Sequence, residues 1–479
     1  MHAEISTTKS FEANLKLLAE QVKGPVFTPG EDGYGDETAA WNLAVGHRPL
    51  VAVGATSVAD VQAAVRFAAS LQLPIAVLAT GHGSTISADG AVLINLRRMN
   101  DIRIDAPAQR ATVGAAVEMQ SLVDAAAAAG LAPLAGSSPN VGVVGYTLGG
   151  GLSPALGRAY GFAADHVTAA QIVTADGEVR QIDADTEPDL FWAICGGKGN
   201  FGVITALTFG LVRVARLYCG GLYFAGEHAA AVADAYRRVV AKATDDLSVS
   251  IVFLRMPDVE FVPEPLRNRF VVHVRVAYLG SAPDGEQLIK DLRQTAPAMI
   301  DTVAEMPFNA VTAIHADPLE PLPVYEASAL LRDFPEAAAA ALLAVAGPGI
   351  DTPVLAIEIR HLGGALGRPG PVPSAVGHRD ARFQLFVGAV GAPDMLETFR
   401  APLEEVQRAL APWSTGGHAV NFLGNFDIGP GDAESAYEPE TYARLRDVKS
   451  SFDPDNLFRI NHNIPPRRAL RGFHTRSGC

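Results

Sequence analysis

The residues best suited to chemistry lie in a few short segments. In the first, the apolar run Leu73-Pro74-Ile75-Ala76-Val77-Leu78-Ala79 ends in Thr80-Gly81-His82-Gly83-Ser84. Residues this small let a diphosphate approach the backbone, whose N–H groups can form an anion-binding nest. An imidazole in that turn reaches whatever the phosphates carry. The second segment, residues 136–151, has six glycines in sixteen positions and no charge. It offers bare backbone to a planar ring or a phosphate at Gly136, Ser137, Ser138, Val141, Gly142, Gly145, Tyr146, Leu148 and Gly149. Such a composition also suits a tight loop between packed elements, and its spacing is not that of a Gly-x-Gly-x-x-Gly dinucleotide turn. The third segment, residues 189–205, carries Gly199, Asn200, Gly202 and Val203; the fourth, residues 452–466, carries Asn461 and Asn463. Glu358 and Arg360 alternate with apolar residues in Ile357-Glu358-Ile359-Arg360-His361, so on a strand they share one face and His361 takes the other. Such a pair either binds or deprotonates a substrate, or forms a cross-strand salt bridge. Tyr146 and His418 are further candidate bases, while His315, before Asp317-Pro318, reads as a loop residue.

These residues need a scaffold. From residue 49 to 214, short β-like runs (50–53, 75–78, 92–96, 110–113) alternate with helical ones. Ser57 is placed to cap a helix over 58–70, where Val58, Val61, Ala64, Val65 and Ala68 recur at helical spacing. A second helix over 122–129 is stopped by Gly130. From 216 to 425 the expected strands are longer: 247–254, 270–278, 354–360, 383–390 and 418–422. Helices over 226–243 and 394–411 lie between them, which describes a broad sheet with helices on one face. Pro and Gly mark loops at 318–323 and 367–373, and the tail begins with a helix over 442–450.

The chain has 479 residues, 48% hydrophobic and 19% charged, with a net charge of −14. It is long enough for several packed domains. The acidic balance argues against a nucleic-acid partner. Three cysteines, Cys195, Cys219 and Cys479, give neither a disulfide framework nor metal-ligand spacing. With no apolar signal region and no run long enough to span a bilayer (337–346 stops at Gly347-Pro348-Gly349), a cytoplasmic protein without membrane contact is expected.

All four glycine- and asparagine-bearing segments, in this order, resemble the berberine-bridge-enzyme-like oxidoreductases, within the vanillyl-alcohol-oxidase (PCMH) type of FAD-binding fold. The family pattern is Arg-Ser-Gly-Gly-His, then Cys-Pro-x-Val-Gly-Val-Gly-Gly-His with Gly-Gly-Gly, then Asp-Leu-Phe-Trp-Ala ending in Gly-Asn-Phe-Gly, then Asp-Pro-x-Asn-x-Phe and Asn-Gln-Asn-Ile-Pro. Trp41-Asn42 fits the family start, and the match covers nearly the whole chain. The resemblance implies an α+β fold: a PCMH-type FAD-binding domain over residues 1–214, an antiparallel-sheet substrate domain covered by helices over 215–435, and a segment over 436–479 returning to the first domain. It implies FAD joined to His82 through the 8α-methyl, for which a neutral imidazole is a suitable nucleophile.

The departures shape the expected chemistry. Ser138 stands where many members have a second linking Cys, and a hydroxyl cannot replace a thiolate, so a single covalent bond is expected. Val141 stands where the resemblance implies room for oxygen above the flavin. Tyr146 replaces a His, Ala419 falls at the family Tyr, Asn421 is kept, and His462 replaces a Gln. The expected activity is an oxidase that removes hydride from a carbon bearing O or N on a small molecule and passes the electrons to molecular oxygen, giving hydrogen peroxide, in a setting of bacterial secondary metabolism. The alternatives are a dehydrogenase using another acceptor and a flavin-holding protein without oxidative turnover.

Overall fold

The computed structural model describes residues 2–467, except 394 and 430. Cys479 and the end of the 436–479 segment lie outside the described residues. Three sheets organise the fold. The first has four strands in the order Val26–Phe27, Val51–Gly54, Val92–Asn95, Ile75–Leu78, the last three parallel. All four residues of Val51–Gly54 and of Val92–Asn95 are buried, which explains why these strands read as unbroken apolar runs. The crossover between Val51–Gly54 and Ile75–Leu78 is the helix Val58–Ser70, whose first turn is closed by the Ser57 side chain accepting from the Asp60 N–H. The second sheet is antiparallel and five-stranded: Ile102–Asp105, Arg110–Gly114, Val203–Gly210, Val167–Val173, Val179–Ile182.

The third sheet has eight antiparallel strands, running Ala298–Asp301, Arg216–Ala225, Arg269–Tyr278, Leu247–Met256, Ala356–His361, Phe383–Val390, Val324–Leu331, with Ala304–Pro307 also paired to Arg216–Ala225. Its two faces have opposite characters because side chains alternate. Leu222, Val272, Val274, Ile251, Phe253, Ile357, Ile359, Leu385 and Val387 face the helices Ala229–Lys242, Ala282–Arg293, Glu336–Ala346 and Leu396–Leu410 and form one core with them. Helix Leu396–Leu410 contributes Phe399, Leu403, Val406 and Leu410 to it, each worth about 1.5–3 kcal/mol when fully buried. The other face carries three cross-strand rows. Arg275, Ser250, Arg360 and Gln384 make the first; His273, Val252, Glu358 and Phe386 the second; Leu254, Ala356, Gly388 and Glu326 the third.

The fold is therefore α+β, and most predicted elements fall within a few residues of those observed. Residues 418–422 do not form the expected strand but a 3-10 turn, Val420–Phe422. Their apolar residues Ala419 and Phe422, three positions apart, instead pack against a small cluster that includes Leu152, Phe162 and Leu330. The His418 N–H is taken by the Ser435 carbonyl, and the Phe422 N–H by that of Ala419. The predicted start of the 394–411 helix, at 394, lies outside the described residues. Pattern reading missed the strands Arg216–Ala225 and Val324–Leu331, the second of which positions part of the cleft described next.

Candidate active site

A cleft of about 1090 Å³ runs between the three-row face of the large sheet and the loops at the ends of the N-terminal elements. That is at the upper end of the range for small-molecule sites. His82 stands in its wall. The turn that presents it requires Gly81, whose φ is +81° and where a Cβ would lie 2.5 Å from the Ala40 Cβ. The imidazole stacks on Trp41, ring centroids 4.3 Å apart and planes within 10°. Its Nδ1 is 3.0 Å from the Thr80 hydroxyl and its Nε2 is 3.0 Å from Asn140 Oδ1.

The surrounding network fixes the tautomer. Asn140 Nδ2 donates to the Leu319 carbonyl at 2.7 Å, and the Ser138 hydroxyl donates to Asn140 Oδ1 at 2.8 Å, so an acceptor faces Nε2. Nε2 therefore carries the proton. The Thr80 oxygen accepts the Gly142 N–H at 3.2 Å, leaving its own proton for Nδ1. Burial lowers the His82 pKa to about 4, with the Asn140 hydrogen bond acting in the opposite sense. The result is a neutral imidazole whose Nδ1 lone pair is covered only by a rotatable hydroxyl.

The C-terminal motif acts as a brace. Asp453 accepts the Leu457 and Phe458 N–H groups at 2.7 and 2.9 Å and pairs with the fully buried Lys449 at 2.6 Å. Lys449 Nζ also donates to the carbonyls of Asn200 and Phe458. The Asn200 side chain donates to the Gly197 and His462 carbonyls and accepts from the Ile464 N–H. Asn200 borders the cleft, as expected of a cofactor-binding residue, and its side-chain amide also holds the tail.

The other predicted site residues divide clearly. Thr80, Gly81, His82, Gly83, Ser84, Gly136, Ser137, Ser138, Val141, Gly142, Gly145, Tyr146, Leu148, Gly199, Gly202 and Asn461 all line the cleft. Gly149, Val203 and Asn463 do not. Val203 is a fully buried strand residue, and a Cβ at Gly149 would lie 1.9 Å from Asn421 Oδ1, so that glycine admits a neighbouring side chain. Asn421 donates to the Tyr146 carbonyl at 2.7 Å, which makes it a brace that also borders the cleft. The Tyr146 hydroxyl donates to the Leu134 carbonyl at 2.9 Å, and burial pushes its pKa far up, so it is not a base. Glu358 and Arg360 do share the cleft face, but Glu358 is gripped by Arg360 (3.0 Å) and Arg275 (3.2 Å). Burial alone would raise its pKa; the two guanidinium groups override this and hold it well below the carboxylate range, which removes it as a base. His418 is bonded to Ser435 and lies off the cleft.

Sequence reading missed several groups. His315 is on a loop as expected, in the turn after Phe308–Ile314, but it is 7% exposed and borders the cleft, which the sequence did not show. Glu326, on the third row, and Lys198, held at φ +54°, also border it. Burial raises the Glu326 pKa to about 7 and lowers that of Lys198 to about 8, each opposed by the other's charge. Asn140 and Trp41 act through tertiary contacts that have no local signal. Burial raises the pKa of Cys195, and that of Cys219 to about 12, and neither borders the cleft. Among the described residues no cluster of His, Cys, Asp and Glu could hold a metal, and no helix is long and apolar enough to cross a membrane.

The shape of the cleft fits a flavin dinucleotide. A Cβ at Gly145 or Gly199 would meet nothing within 4 Å, so both present bare backbone to open space, and Asn461 Oδ1 is buried without a partner among the described residues. Comparison with known proteins agrees. Residues 49–183 match the FAD binding domain family and residues 420–465 the berberine and berberine-like family. The chain is 31% identical over 457 residues to (R)-6-hydroxynicotine oxidase of Paenarthrobacter nicotinovorans, covering 93% of this chain and 97% of that one. The crystal structure of 6-hydroxy-D-nicotine oxidase from Arthrobacter nicotinovorans superposes with a TM-score of 0.82 at 28% identity, covering 92% of this chain and 98% of the other. Physcomitrella patens BBE-like 1 gives 0.79 at 22%, covering 93% and 97%. The chain belongs to the berberine-bridge-enzyme-like family of FAD-linked oxidoreductases.

Proposed function

We propose that the chain is an oxidase whose FAD is joined through a single covalent bond to His82, and that it removes hydride from a carbon bearing O or N on a small molecule. One observation carries this reading: His82 stands in the cleft as a neutral imidazole of fixed tautomer, with Nδ1 free of a proton and Nε2–H tied to Asn140. Nδ1 is the atom that forms the bond. Ser138, hydrogen-bonded to Asn140, supplies no second link. FAD, when bound, supplies the hydride acceptor and the route by which oxygen is reduced to hydrogen peroxide.

The protein's own groups do the rest. Thr80, Gly81, Gly83, Ser84 and the 136–148 residues that border the cleft hold the cofactor, with Gly199, Gly202 and Asn461 on its other side. Substrate enters against the rows of the large sheet. Glu326, on the cleft wall, has its pKa raised to about 7 by burial against the charge of Lys198, which suits it to take a proton from a substrate. Val141 borders the cleft and leaves oxygen a path to the cofactor. In domain terms, residues 1–214 with the segment from 436 hold FAD, and 215–435 hold substrate. Relatives named as oxidases support the oxidase reading. The test is to denature the purified protein in acid and look for flavin on the polypeptide, in the parent and in His82→Ala, then to screen substrates for peroxide. Colour bound in the parent and released in the variant is expected. Colour released from both removes the covalent assignment, and slow reoxidation in air points to a dehydrogenase.

A further inference from the structure

The cleft floor holds more charge than a hydride transfer requires. His273 and Arg275 from one strand, Glu358 and Arg360 from another, and His315 from the turn that follows Phe308–Ile314 meet there, at 1, 9, 6, 8 and 7% exposure. Two guanidinium groups share one carboxylate. Both imidazoles are neutral, because burial and then the nearby Arg275 charge push their pKa values well down. Two positive charges against one negative leave an excess of one. The charges that act on His315 are those of Arg275, Glu358 and Arg360, with no second carboxylate among them. Asp317, at the rim, acts together with Arg275 on Tyr223, whose ring stacks on His273 at 3.9 Å, so its carboxylate borders the cluster without pairing with either guanidinium.

The same cluster has idle hydrogen-bonding nitrogens. Arg275 Nε, both ring nitrogens of His273 and His315 Nε2 are buried with no partner among the described residues. Arg275 spends Nη1 on Glu358 and points Nη2 at the His315 carbonyl, 3.5 Å away, so its Nε–H is the donor left over. Buried donors without acceptors are costly, and an uncompensated buried charge more so. A ligand with two acceptor oxygens and one negative charge takes the Arg275 Nε–H and an imidazole N–H and offsets the excess charge, while the acceptor nitrogen of a neutral ring is left to other partners. A cationic amine would add to the excess.

On the reading that this cleft is the substrate site, we infer that it takes substrates bearing a carboxylate, held by Arg275 with His273 and His315, and discriminates against cationic amines. The probe set is benzoate, benzyl alcohol and benzylamine, titrated calorimetrically into the flavin-loaded protein at pH 7.5. Benzoate should bind at least about tenfold tighter than benzyl alcohol, as charge-assisted bonds to a buried guanidinium demand, with benzylamine weakest. Arg275→Met should abolish the benzoate advantage and leave benzyl alcohol binding unchanged; Arg275→Lys should restore part of it. Thermal melting checks that each variant folds, and should Arg275→Met not fold, His315→Phe should still shrink the advantage. Equal affinities for the three probes, or a variant that weakens all three alike, would overturn the inference. Binding does not depend on turnover, so the two readings fail separately. A flavin-loaded protein that prefers benzoate but forms no peroxide with any substrate sinks the oxidase assignment alone, and a yellow protein indifferent to benzoate sinks this one alone.

Discussion

The reactivity of His82 can be tested without knowing the substrate. Only a neutral imidazole can attack the 8α carbon. An ordinary histidine, with a pKa of about 6.5, is only about 3% neutral at pH 5. With its pKa lowered to about 4 by burial, His82 is still about 90% neutral there. Apoprotein mixed with FAD at pH 7.5 and at pH 5, and sampled by the in-gel fluorescence of acid-denatured protein, reports the rate of covalent incorporation. The rate should change little between the two. A drop of about 30-fold, the ratio for an unperturbed imidazole, would refute the reasoning. Asn140→Ala removes the acceptor that fixes the tautomer at 3.0 Å. A hydrogen bond of about 0.5–1.5 kcal/mol then predicts incorporation about two- to tenfold slower. The same lowered pKa has a stability consequence in the apoprotein. The unfolded chain takes up the proton near pH 6.5 and the folded one near 4, so stability falls as the pH drops through that window. The loss is at most about 3 kcal/mol, and less because the ring is partly open to the cleft.

Other outcomes follow from single residues. Glu326 is pushed up to about 7, so the pH–rate profile should show an inflection near neutrality that Glu326→Gln removes; an unchanged profile in that variant takes Glu326 out of the reaction. Val141→Leu, which adds a methylene at the cleft wall, should slow reoxidation by oxygen about tenfold, the rate equivalent of 1–2 kcal/mol of overpacking, while anaerobic reduction holds. If both half-reactions slow together, Val141 is not an oxygen gate. Lys449→Met strands the Asp453 carboxylate and two carbonyls in the interior. Urea denaturation should show a loss of about 3–5 kcal/mol, and a loss below about 1 kcal/mol would mean that the brace is dispensable.

What could be read in the sequence was local. The helix Val58–Ser70 and the strands Ile75–Leu78 and Phe383–Val390 match their predicted bounds, because apolar spacing and a capping serine act within a few residues. The family could be read for a similar reason: Gly81 must adopt positive φ and Asp453 must cap its own turn, so these needs are written as short motifs. The pairing of Glu358 with Arg360 on one face also followed from alternation. Its meaning did not, since Arg275 reaches the same carboxylate from a strand more than eighty positions earlier in the chain. The tertiary structure alone decided that Tyr146 turns its hydroxyl to a carbonyl, that His315 is buried in the cleft, and that Asn140 and Trp41 hold His82. Each depends on which groups are desolvated together and which charges meet there, and burial and Coulomb interactions act across space rather than along the chain.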